Sequence, residues 1–234
     1  MSEAGRLVNV IIDPKPAFAD IAARPSFWVP MVLLTLCVLG YLLAFSSHVG
    51  WEHFLRQQFE SSSRAQNMSP EDKEKNIEMS LKVGPAFGTV IPVIITPVLM
   101  LITAGVLLFV FNNMFGATAT YKQVLAVAAY ASLPRVLATA GAVAVMFLKD
   151  PTDFDLKNPA GYNIGFYVDP HSVPAWLHSL FTSIDVFTIW VVLLLAAGMA
   201  AVTRKPFKSA LTGVLIPWAV VVLIGMAWAA IFGY

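Results

Sequence analysis

The sequence predicts an all-α membrane protein, a five-transmembrane-helix bundle carrying short interfacial and extramembrane helices. Three observations predict it. Of 234 residues 58% are hydrophobic and only 12% charged, with a mean hydropathy of +0.72, a composition foreign to soluble domains. Five apolar runs reach the roughly 20 residues that a hydrocarbon core about 30 Å thick demands at 1.5 Å per residue. No stretch alternates with strand period over barrel-like lengths, and lipid forces backbone groups to be satisfied within the chain, which leaves helices.

Residues 1–26 read as an N-terminal interfacial segment and residues 27–234 as a five-span membrane domain. Its spans are expected at about 27–47, 87–111, 124–148, 180–202 and 210–232. The first, second and fifth are uncharged, while the third contains Arg135 and the fourth Asp185. The first run reads as a span rather than a cleaved signal, because it is longer than a signal's apolar region and follows a segment of mixed charge.

Lys and Arg outside the spans divide seven against seven between the two faces. Density breaks the tie. Arg204, Lys205 and Lys208 crowd a six-residue loop between two spans, on the same side as Arg6, Lys15, Arg24 and Lys122. Arg56, Arg64, Lys73, Lys75, Lys82, Lys149 and Lys157 spread over the longer loops opposite. The N-terminal face is therefore expected in the cytoplasm.

Ahead of the first span, Leu7, Val10 and Ile11 form one apolar stripe and Phe18, Ile21 and Ala22 a second, parted by Asp13-Pro14-Lys15-Pro16. Two short interfacial helices are expected, Asp13 capping the second with proline in its first turn. A helical hairpin is expected at about 48–86. Trp51, Phe54, Leu55 and Phe59 give its first helix one apolar face, and Ser69, Pro70, Glu71 and Asp72 spell the start of its second. Residues 149–174 carry Asp150, Asp153, Asp155, Asp169 and His171 among Pro, Asn and Gly, and read as a hydrated acidic loop. The Asp153-Phe154-Asp155 spacing lacks the glycine and distal glutamate of a calcium loop, so no metal is expected.

Arg135 and Asp185 each cost about 2.5–3.5 kcal/mol or more if buried alone in hydrocarbon, so each must find water, a carbonyl or a partner. Three readings stand: a structural contact between them, separate structural roles, or a part in transport or proton relay. Pro30, Pro92, Pro97, Pro134 and Pro217 lie in the spans and invite kinks, which makes the Pro92 and Pro97 pair and the Leu133-Pro134-Arg135 step candidate walls of a cavity. Small residues four apart, such as Gly40 with Ala44 and Gly225 with Ala229, read as packing surfaces. No His-Glu-x-x-His, Gly-x-Ser-x-Gly or phosphate-binding loop occurs, and His48, His53, His171 and His178 fall in loops or at interfaces, so no catalytic residue and no cofactor is expected. Cys37 is the single cysteine, which precludes an intramolecular disulfide. A net charge of +1 excludes nucleic acid as a partner.

Three stretches carry a resemblance. Asp13-Pro14-x-x-x-Phe18-x-x-Ile21-x-x-x-Pro25 precedes the first span, and Gly116-Ala117-x-x-x-Tyr121-Lys122-Gln123-Val124-Leu125 with Tyr130-x-Ser132-x-Pro134 opens the third. Asp185-x-Phe187-x-x-Trp190, with Gly198, lies in the fourth. Together they resemble bacterial members of the Yip family, five-span membrane proteins, over most of the chain from Asp13 onward. The resemblance implies structural landmarks at Gly116, Tyr121, Pro134, Asp185 and Trp190, and no catalytic residue. Eukaryotic Yip proteins meet Rab GTPases through a longer N-terminal region, and with about 26 residues before the first span that partnership is not carried over. The expected function is a non-enzymatic membrane protein that organises membrane or partner proteins. Its expected partners are membrane lipids and either a protein or a further copy of the chain. The alternative is a small transporter or channel using Arg135, Asp185 and the kinked spans.

Overall fold

A computed structural model describes residues 1–60, 68–156 and 158–233. The connection within the expected 48–86 hairpin, and the charges of Arg64 and Lys157, lie outside them. Two short helices, α1 (Glu3–Ile12) and α2 (Pro14–Ala23), precede the first span, α3 (Trp28–His48). Then follow α4 (Trp51–Glu60) and α5 (Pro70–Phe109), the latter closing in a π-helical turn at Val110–Met114. The third span is two helices, α6 (Tyr121–Ala131) and α7 (Pro134–Leu148). After an irregular segment come α8 (Ala175–Ser183), α9 (Val186–Thr203) and α10 (Phe207–Phe232). Five of these stretches are long and apolar enough to cross a membrane: α3, α5 with its π turn, α6 with α7, α9, and α10.

The helix that carries the second span has 40 residues, about 60 Å of helix and twice the hydrocarbon thickness. It absorbs what the sequence suggested was a separate second hairpin helix. Ser69 caps its start as expected, its hydroxyl accepting from the Asp72 amide, but Gly84 and Pro85 do not end it. The glycines make room instead. A Cβ on Gly88 would lie 2.3 Å from the Trp51 ring and one on Gly84 2.8 Å from Leu55, so α4 packs tightly along the first half of α5. Arg56 bridges the pair, to Glu52 on its own helix and to Glu74 opposite. Trp51 also sets its ring edge-on to Phe45, 5.0 Å away, which ties this stalk to the end of α3.

The N-terminal helices do not stand apart from the bundle but pack into its core. Val10, Ala17, Phe18 and Ile21 have no exposed surface, and they join the main core with Val124, Val127, Leu195 and Met199 of the third and fourth spans. The reason lies at Gly198, where a Cβ would meet Val127 at 2.4 Å and the Phe18 ring at 3.0 Å: the bare backbone of α9 is the floor on which α2 rests. Nor does the Asp13 side chain cap α2. Pro14 and Pro16 occupy two of the first three positions of that helix and have no N–H to offer. Asp13 instead closes α1, its amide donating to the Asn9 carbonyl.

The third span breaks where Pro134 restarts it, and the i→i+3 bonds Leu133 to Tyr130, Arg135 to Ser132 and Val136 to Leu133 tighten the step. The fourth span begins at Val186 rather than near residue 180, because Asn163 pairs with Asp185 as an isolated bridge and the Val186 amide donates to the Tyr162 carbonyl. The acidic loop is more ordered than its composition suggests. Asp150 caps a 3₁₀ turn, Pro151–Asp153, and accepts from the Thr152 amide, while a second such turn spans Ile164–Tyr167.

Candidate functional site

A cavity of about 490 Å³ lies at the centre of the bundle and takes side chains from all five spans. Its wall is mostly apolar. Ser132, Arg135, Thr139 and Thr188 give it polar groups on the third and fourth spans and Thr96 and Thr103 on the second, while Leu107 and Val214 are among its apolar side chains. Thr188 stands three residues beyond Asp185, in the first turn of α9, and lines the same cavity as Arg135. Arg135 is exposed and lines this cavity.

Asp185 does not pair with it. Among the described residues no carboxylate comes within ion-pairing distance of Arg135, and no side-chain hydrogen bond holds its guanidinium. The Asp185 carboxylate caps α9 by accepting from the Thr188 amide at 2.8 Å, and reaches Arg135 only through its field. Of the span prolines Pro217 lines the cavity. Pro134 contributes by setting Arg135 in the first turn of α7, and Pro92 accepts the Thr96 hydroxyl at its carbonyl.

The other landmarks serve the connections and the helix contacts. Gly116 turns the chain between the second and third spans at φ +60°, a left-handed conformation that glycine adopts without strain, and the Asn112 side chain closes this turn on both backbone groups of Ala119. Tyr121, in the first turn of α6, donates its hydroxyl to the Leu101 carbonyl. Trp190 stacks on Phe187 and packs against the main core. His178 sits against the Gly165 carbonyl and His48 against the Phe147 ring. Among the described residues no three His, Cys, Asp or Glu side chains converge as metal ligands do.

A second polar constellation escaped the sequence reading. Arg6 is 4% exposed and donates to Glu3, Asp20 and Ser26. Asp20 also takes the N-terminal ammonium and Arg24, and these with Arg6 hold its carboxyl well below the usual carboxylate range. Glu3 accepts the Tyr130 and Ser26 hydroxyls, which with the Arg6 charge lower it as well. Burial works most strongly against the charge of Arg6, and its hydrogen bond to Asp20 together with Tyr130 and the charges of Asp20 and Glu3 outweighs it. The network pins α1 and α2 to the third span, assisted by Gln123, whose amide donates to the Ala22 carbonyl. The only hint in the sequence was the i, i+3 spacing of Glu3 and Arg6.

The family model described as the Yip1 domain matches residues 8–229, nearly the whole chain. No curated protein is matched. No solved structure is matched either.

Proposed function

Because the chain belongs to the Yip1 domain family, we propose that it is a non-enzymatic integral membrane protein that organises partner proteins at the membrane. The carrying observation is the stalk. A bilayer uses about 20 residues of a helix as long as α5, so its first half projects beyond the hydrocarbon, braced by α4. Its outer side leaves Glu78, Met79, Lys82 and Val83 exposed, a mixed apolar and charged face suited to a protein partner or a second copy of the chain. The dense positive cluster at Arg204, Lys205 and Lys208 supports placing the opposite, N-terminal face in the cytoplasm of a bacterial inner membrane.

The test is site-specific photocrosslinking in the native membrane from Met79 on the stalk, with Lys122 on the other face as the control position. One protein crosslinked in near-stoichiometric amount from Met79 alone, and lost when Glu78 and Lys82 exchange charge, supports the reading. Crosslinks to lipid only, or the same products from both positions, overturn it. A second reading, a small transporter or channel, draws on the unpaired Arg135 in a cavity bordered by every span. It requires solute or ion flux in liposomes that Arg135→Gln abolishes.

A further inference from the structure

We propose that the central cavity is a binding site for an anionic single-chain amphiphile, its acidic headgroup on Arg135 and its alkyl chain in the apolar remainder. Arg135 carries a permanent charge and five N–H donors into a site at membrane depth, and none of its described neighbours accepts them. Leaving such a group unpaired is costly, and a carboxylate or phosphate oxygen relieves that cost with a charge-assisted bond. Ser132 and Thr139 line the same cavity, their hydroxyls already donating to the Ala128 and Arg135 carbonyls, so neither brings a competing charge.

The rest of the cavity rejects a small hydrated anion as its natural occupant. Away from Arg135 the lining is mostly apolar, with Leu34, Val38, Leu107, Leu195 and Val214 beside the hydroxyls of Thr96 and Thr103, and the volume falls within the range of about 300–1,000 Å³ that small-molecule pockets occupy. Its opening points to lipid rather than to water. Leu99, Ile102 and Val106 on α5 and Val221 on α10 line the cavity and are themselves exposed, so the mouth lies between those two spans at hydrocarbon depth. A molecule dissolved in the bilayer enters there.

Trp218 lines the cavity and serves as a reporter. The protein in phosphatidylcholine nanodiscs at pH 8 is titrated with 9,10-dibromostearate, and quenching of Trp218 is taken as the difference between the native chain and Trp218→Phe. Saturable quenching is expected, with half-saturation raised about tenfold or more in Arg135→Gln, the loss of one charge-assisted contact, and partly restored in Arg135→Lys. The brominated alcohol of the same length is expected to quench only in proportion to its amount in the bilayer. Thr103→Phe, at an exposed position of the wall, is expected to weaken binding without touching the charge. Should Arg135→Gln fail to fold, the acid and alcohol compared on the native chain decide. Equal quenching by acid and alcohol, or an unchanged curve in a folded Arg135→Gln, overturns the proposal. Displacement of the acid by millimolar inorganic phosphate overturns it too, since the site would then select a free anion. Suppression of the titration by a phosphatidylglycerol nanodisc overturns it as well, since the site would then hold a two-chain phospholipid, whereas an unchanged titration there supports a free single-chain acid. This inference is independent of the stalk, so failure of either experiment leaves the other standing.

Discussion

The carboxylate of Glu3 accepts a hydrogen bond from the hydroxyl of Tyr130, 127 residues further along the chain, and so fastens the first helix to the third span. Tyr130 has no exposed surface, and Glu3 shares its other oxygen between Ser26 and Arg6. One residue near the N-terminus thereby links the N-terminal helices, the start of the first span and the core of the third.

Tyr130→Phe keeps the ring and removes the donor. Bonds to charged groups contribute about 1.5–3 kcal/mol, so exchange protection across α1 is expected to fall while that of α9 and α10 holds. Hydrogen exchange read by mass spectrometry checks this, and uniform loss across the bundle would contradict it.

Acid is expected to release the same helices. The folded-state pKa values of Asp20 and Glu3 lie below their ordinary values. Their stabilisation is therefore fully present above about pH 4–5 and is lost as pH falls through the depressed folded values. Limited proteolysis of residues 1–26 in nanodiscs between pH 7 and pH 3 reports it. Asp20→Asn should show the released pattern already at pH 7.

Glycines separate by what lies above them. Gly198→Ala forces a Cβ against Val127 and Phe18 and is expected to cost about 1–3 kcal/mol as α2 is pushed from its seat. Gly40→Ala meets nothing within 4 Å and Gly225→Ala meets only Ser179 at 3.6 Å, so both are expected to be neutral or to stabilise by up to about 1 kcal/mol. Thermal denaturation in one detergent ranks the three.

Asp185 is predicted to act as a cap. Asp185→Asn retains an oxygen for the Thr188 amide and should change stability by only a few tenths of a kcal/mol, while Asp185→Ala costs about 0.5–2 kcal/mol. An ion pair with Arg135 would instead make the asparagine variant nearly as damaging as alanine. Denaturation of both variants distinguishes the two.

Removing the indole of Trp51 from above Gly88 should loosen the stalk. Trp51→Ala is expected to cost about 3–5 kcal/mol of local stability, seen as faster exchange in α4 and the first turns of α5 with the spans unaffected.

Much of this molecule was readable from residue order because lipid imposes a local rule: each apolar run must satisfy its own backbone, so run length alone located five spans, and Ser69 and Pro70 marked a helix start by chemistry within one turn. The rest depends on which surfaces meet. Nothing in the order of residues 1–26 says that Phe18 finds a bare glycine on the fourth span, nor that Glu3 finds Tyr130. Arg135 and Asp185 stood out as charges in apolar runs, but their separate tasks follow from a break at Pro134 and a bridge at Asn163, which turn one toward a cavity and the other onto its own helix. Hydropathy determines what enters the membrane, while contacts between helices within it rest on shape and on scarce hydrogen bonds, which only the assembled bundle brings together.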